Sequence, residues 1–95
     1  MSFGATKIGP APDGTNWMME FFDARTEWTF AEFIDCLRDL GASFGEVPDP
    51  PASGYVTHAA WKGVSLAAGY SDEHGCHLIS PNQSTLEDLS TLMQA

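Results

Sequence analysis

The run Trp28-Thr29-Phe30-Ala31-Glu32-Phe33-Ile34-Asp35-Cys36-Leu37-Arg38-Asp39-Leu40-Gly41 is the most strongly specified segment of the chain. Phe30, Phe33, Ile34, Leu37 and Leu40 recur at the three-and-four spacing of a single helical stripe. Thr29 and Glu32 are spaced for a capping box, in which each side chain bonds the other residue's amide. Trp28 and Phe33 flank that cap at the positions of a hydrophobic staple. Gly41 falls where a left-handed residue closes a helix. The opposite side of the same helix carries Glu32, Asp35 and Asp39, whose spacing stacks three carboxylates in one outward line. Like charges this close cost a few tenths of a kcal/mol per pair, and Arg38 offsets only part of that. The line is either a plain solvated face or a surface that meets Lys and Arg of another protein.

A second helix is expected at the C-terminus. Ser84-Thr85-Leu86-Glu87 repeats the capping-box spacing, with Ser84 as the cap, and Leu86, Leu89, Leu92 and Met93 form the apolar stripe that docks it. Between the helices the chain reads as a three-stranded meander. Tyr55 to Trp61 alternates, Lys62-Gly63 suits a two-residue hairpin turn, and Val64, Leu66, Ala68 and Tyr70 line one face of the returning strand. The other face of that strand is small (Ser65, Ala67, Gly69), which predicts close approach of a helix. Ser71 to Gly75 makes a turn, and Cys76 to Ser80 a third strand ended by Pro81.

Ahead of the first helix, Asn16 to Ala24 is dense in aromatic and Met residues. Trp17, Met19 and Phe21 share one face of a strand, and Met18, Glu20 and Phe22 the other. Apolar residues on both faces mark a central strand, or one whose second face a partner covers. Residues 1–15 are a loosely structured segment or an edge strand over Ala5 to Gly9. Ser43 to Val47 reads as a brief extended segment, and Pro48 to Gly54 as a stiff connector. The expectation is therefore one α+β domain spanning residues 1–95. Its antiparallel sheet is built from the first strand and the meander, with two helices mainly on one face. Ninety-five residues leave room for one core.

Charge is the outlying property of the composition. Thirteen acidic residues against four basic ones give a net charge of −9. The cations Lys7, Arg25, Arg38 and Lys62 are scattered, so no basic patch exists to neutralise phosphates, and direct nucleic-acid binding is not expected. Such a surface repels anionic membranes and steers toward cationic partners, although acidity also serves plain solubility. The segment Met1 to Lys7 lacks a basic region followed by an apolar core, and no apolar run approaches the ~18 residues of a spanning helix. Cytoplasmic residence is expected, with Cys36 and Cys76 as thiols; a single bridge between them is the alternative in an oxidising compartment.

Catalytic signatures are missing from the sequence. There is no Gly-x-Ser-x-Gly elbow, no Gly-rich phosphate loop with Lys and no His-Glu-x-x-His. Glu20 and Asp23 are spaced to opposite faces of a strand, which argues against joint acid–base work. His58, His74, Cys76 and His77 have metal-ligand chemistry. Cys76 and His77 point to opposite sides of a regular strand, however, so convergence on one ion is not expected. No cofactor is expected either. Trp17 at a strand start and Trp61 beside the hairpin turn are the aromatic residues expected to anchor an interface.

In size, charge and want of a catalytic motif the chain resembles the small acidic inhibitors made by bacteria and their phages, namely toxin-immunity and anti-defence proteins. The likeness rests on no residue motif. It implies a non-enzymatic protein that occludes a basic partner such as a toxin or nuclease. Glu32, Asp35 and Asp39, joined by Asp72 and Glu73, would meet Lys or Arg, with Trp17 or Trp61 as anchor. The alternatives are a small transition-metal-binding protein using the His/Cys cluster, and a non-catalytic subunit of a larger assembly, including a homodimer.

Overall fold

The computed structural model describes residues 6–21, 24–47 and 51–93. Six strands form one antiparallel sheet: β1 (Thr6–Pro10), β2 (Trp17–Phe21), β3 (Ser43–Phe44), β4 (Tyr55–Trp61), β5 (Val64–Ser71) and β6 (Gly75–Ser80). Their spatial order is β1-β2-β6-β5-β4-β3, so the last strand of the meander slots beside β2. The first helix, α1, spans Phe30–Asp39 and the second, α2, spans Gln83–Met93. This is the expected α+β domain; the edge strand read over Ala5 to Gly9 forms at Thr6–Pro10, and the extended segment read over Ser43 to Val47 forms a strand at Ser43–Phe44.

Register explains why the core lies on one side only. Ile8 stands opposite Met19, Met19 opposite Leu78, and Leu78 opposite Ala68, so one row of apolar side chains crosses four strands. Phe21, Leu66, Tyr70 and Cys76 extend that face, and Phe30, Phe33, Ile34 and Leu37 of α1 and Leu86, Leu89 and Met93 of α2 pack onto it. Phe33 meets Phe21 edge-on at 5.0 Å between ring centroids, and Phe30 meets Tyr55 at 5.8 Å. A fully buried side chain of this size contributes roughly 1.5–3 kcal/mol. Among the described residues, the far side of the sheet carries no helix.

Helix α1 ends as its sequence specifies. Gly41 has φ +102°, its amide bonds the Arg38 carbonyl, and the Ala42 amide bonds the Leu37 carbonyl, which is a Schellman motif. The start differs from expectation. A 3-10 turn at Glu27–Thr29 precedes α1, and the Thr29 hydroxyl donates backward to the Thr26 carbonyl at 2.7 Å, leaving no capping box. Trp28 forms no staple: it is 69% exposed. At the second helix, Ser84 lies inside the first turn and Leu92 faces outward. The Lys62–Gly63 hairpin forms as expected, with positive φ at both residues. Phe22, Asp23 and Pro48 to Pro50 lie outside the described residues.

The small face of β5 has a different use from the one expected. Both helices lie on the opposite side, and the close approach at Gly69 is made by the Tyr55 carbonyl and the His77 ring. A Cβ at Gly69 would stand 2.7 Å from the Tyr55 carbonyl oxygen and 2.9 Å from His77 Nε2. Gly9, on the same face, has nothing within 4 Å of that position. Gly69→Ala is therefore expected to destabilise by about 1–3 kcal/mol, whereas Gly9→Ala stays within about 0.5 kcal/mol of the parent. Urea denaturation midpoints of the two variants check this contrast.

Candidate protein-interaction face

Helix α1 presents its carboxylates as the periodicity requires. Glu32, Asp35 and Asp39 are all exposed, and among the described residues Asp35 alone pairs with a cation, Arg38 Nη1 at 3.7 Å. Arg38 divides its attention, because its other terminal nitrogen donates to the Gly45 carbonyl at 3.2 Å and its guanidinium lies over the Phe44 ring. An exposed pair of this length contributes little. The line keeps most of its negative charge.

Two features accompany this line. Trp28 lies in the 3-10 turn that leads into α1, four residues before Glu32, and its indole is exposed. Between α1 and α2 runs a groove of about 250 Å³ lined by Glu32, Asp35, Cys36, Asp39, Leu40 and Leu92. One wall is anionic and the other is apolar, with Leu92 42% exposed. That combination suits a Lys or Arg side chain, whose aliphatic stem needs apolar contact while its head needs carboxylates.

The remaining acidic candidates, Asp72 and Glu73, sit exposed on the β5–β6 turn. Asp72 accepts a hydrogen bond from the Tyr70 hydroxyl at 3.1 Å, and Arg25 donates to the Glu73 carbonyl at 3.0 Å. Burial pushes the Tyr70 phenol upward, and the Asp72 hydrogen bond and the charges of Asp72 and Glu27 add to that. The turn and the entry to α1 thus share one anionic neighbourhood, with Trp28 next to Glu27.

Neither of the two tryptophans expected to anchor an interface is fully at the surface. Trp61 is 4% exposed and its indole N–H donates to the Leu40 carbonyl at 2.9 Å, with the Lys62 ammonium over its ring. Trp17 is half-buried against the core. Trp28, Leu92 and Cys36 are the residues that sequence reasoning missed at this face. Trp28 owes its exposure to the 3-10 turn that carries it, which the period of α1 does not describe.

The His/Cys cluster separates by face. Cys76 is fully buried in the core, near the Thr29 hydroxyl, and burial pushes its thiol up to about 11. His77 lies on the helix-free face at 6% exposure; its Nδ1–H donates to the Gly75 carbonyl at 3.0 Å, and burial holds its pKa below the ordinary imidazole value. His74 stacks edge-on against His77 at 6.0 Å and lies 3.3 Å from Glu20. His58 is exposed on β4. No group of three or more His, Cys, Asp or Glu among the described residues is placed to hold a metal ion.

Neither cysteine is in a disulfide, and the two thiols differ in access. Cys36 is half-buried in the groove, and burial raises its pKa as well, without closing the site. At mildly alkaline pH one thiol per chain, Cys36, is expected to react with a disulfide reagent in the native protein. Cys76 should react only after unfolding. A Cys36→Ser variant that still titrates a native thiol would contradict this placement.

No helix among the described residues is long and apolar enough to cross a membrane. No protein-family model matches the chain, and comparison with curated proteins and with solved structures finds no significant match.

Proposed function

We propose that this chain is a small acidic, cytoplasmic protein-binding inhibitor of the toxin-immunity or phage anti-defence kind. It acts by occlusion rather than catalysis, covering the basic surface of a partner such as a nuclease. The observation that carries the reading is the exposed Trp28 at the head of the Glu32, Asp35 and Asp39 line, beside a groove with one acidic and one apolar wall. An indole left at the surface of so small a domain is a large apolar group in want of cover, and Trp is the residue most enriched at interface hot spots.

The mechanism has two stages. Uncompensated carboxylates raise the encounter rate with a cationic cleft, an effect that salt suppresses. Docking then desolvates Trp28 against the partner, while a Lys or Arg stem lies on Leu40 and Leu92 with its head among Glu32, Asp35 and Asp39. Asp72 and Glu73 extend the same anionic field. Trp17 and Trp61 have packing roles and are not part of the contact.

The experiment is copurification with the product of the adjacent gene, followed by titration calorimetry between roughly 0.05 and 0.5 M salt. Trp28→Ala is expected to weaken binding on the order of 10- to 100-fold. Reversing Glu32, Asp35 and Asp39 to Lys should weaken it at least ~10-fold and flatten the salt dependence. Both variants alter exposed groups and should keep the parent's thermal midpoint. Unchanged affinity in both would sink the proposal.

A further inference from the structure

We propose that the β5–β6 turn is an acid-sensitive latch, closed while the His77 ring is uncharged beside the Glu20–His74 contact and released when both imidazoles carry a proton. The contact joins residues 54 positions apart. His74 Nδ1 lies 3.3 Å from a Glu20 carboxylate oxygen, with the two side chains 26% and 19% exposed, so a half-buried pair ties the turn to β2. The turn also grips the chain that leads into α1. The Cys76 amide donates to the Ala24 carbonyl at 2.7 Å, and Arg25 donates to the Glu73 carbonyl at 3.0 Å. Gly75 sits so close to that segment that a Cβ on it would stand 2.8 Å from the Arg25 Cα.

The charges around the two rings decide how the latch answers to protons. His77 stands opposite Glu20 on β2 and Gly69 on β5, buried, with its ring edge-on to His74 at 6.0 Å between centroids. Its Nδ1–H is given to the Gly75 carbonyl, so an added proton goes to Nε2, the atom over Gly69. The Tyr55 carbonyl borders the same glycine, but a carbonyl accepts a bond without neutralising a charge. Facing the pair are Glu20 from β2, Lys7 from β1 opposite Glu20, and Glu73 in the turn, 84% exposed and 3.9 Å from His74 Nε2. His58 of β4 lies one row away on the same face, and both helices lie on the other side of the sheet. Among the described residues, one half-buried carboxylate therefore serves two imidazoles. It matches one imidazolium. A second at this separation lacks a counter-charge at that depth and repels the first.

The sign of the response follows. Burial is the main cause that holds the His77 pKa below the ordinary imidazole value; the Gly75 bond opposes it, the His74 charge adds to it, and Glu20 opposes it. A group depressed in the closed form and ordinary in the open one favours closure fully above about pH 6.5. That contribution is lost progressively as the pH falls below this value.

Amide hydrogen exchange of the whole chain at roughly pH 7.5 and 5.5, corrected for intrinsic rates, tests the latch. The Cys76 amide, bonded to the Ala24 carbonyl, is expected to lose about 3- to 10-fold of its protection in acid, while amides of Leu37 and Leu89 change less than about 2-fold. His77→Gln keeps a donor for the Gly75 carbonyl and should shrink the acid effect below about 2-fold. His74→Gln keeps a hydrogen-bonding group at Glu20 without the charge and should reduce the effect, whereas His58→Gln should leave it unchanged. Equal protection of Cys76 at the two pH values overturns the proposal, and so does a uniform loss along the chain. An acid effect that survives His77→Gln, or that His74→Gln does not reduce, overturns it equally. These outcomes are read on the free chain, so they leave the inhibitor reading untouched.

Discussion

The contact on which the molecule depends is the laying of the Phe30, Phe33, Ile34 and Leu37 stripe onto Phe21, Met19 and Tyr70 of the sheet. A single sheet with both helices on one side has one interior. Every large apolar group that the chain can spare is drawn into it, and the two outer surfaces receive what is left. The helix layer takes the carboxylates, since helix backs are where charged side chains are solvated most easily. The far side of the sheet takes the small residues of β5 together with Met18, Val56, His77 and Ile79 and the opposed Lys7 and Glu20. The division between a charged exterior and a neutral one is thus a consequence of one-sided packing.

That logic sets what was legible in the sequence. The α1 stripe, the Gly41 stop and the Lys62–Gly63 turn depend on periodicity or on local backbone chemistry, and each was readable from adjacent residues. The outward line of Glu32, Asp35 and Asp39 follows from the same period. The capping boxes were not readable, because a cap depends on which residue starts the helix. A 3-10 turn ahead of α1 and an earlier start at Gln83 moved both boundaries. The tryptophans were misplaced for a related reason. Trp61 looks like a hairpin-tip residue, yet its strand parity turns it toward the core and its indole N–H caps the Leu40 carbonyl.

The small face of β5 is the most instructive misreading. Ser65, Ala67 and Gly69 do signal close approach, but sequence alone cannot say what approaches or from which chain. At Gly69 the approaching groups are the Tyr55 carbonyl and the His77 ring, contacts set by the pairing of β5 with β4 and β6 rather than by any local pattern. The His/Cys cluster failed as a unit for a readable reason: strand alternation sends Cys76 into the core and His77 to the opposite face. What alternation could not foretell was the pairing of His74 with Glu20, residues far apart in sequence that the β2–β6 pairing brings together.

The four cations complete the electrostatic picture. Lys7 faces Glu20 across two strands, Arg25 binds the Glu73 carbonyl, Arg38 is shared among Asp35, the Gly45 carbonyl and Phe44, and Lys62 covers Trp61. Most of this positive charge is spent on carbonyl groups and rings, which it does not neutralise, rather than on the carboxylates of α1. The acidic line therefore keeps its field, at a cost of only a few tenths of a kcal/mol per like pair, while the sheet face keeps none. Screening by salt therefore acts mainly on the helix side of the molecule, where the carboxylates of α1 stand without a full complement of cations.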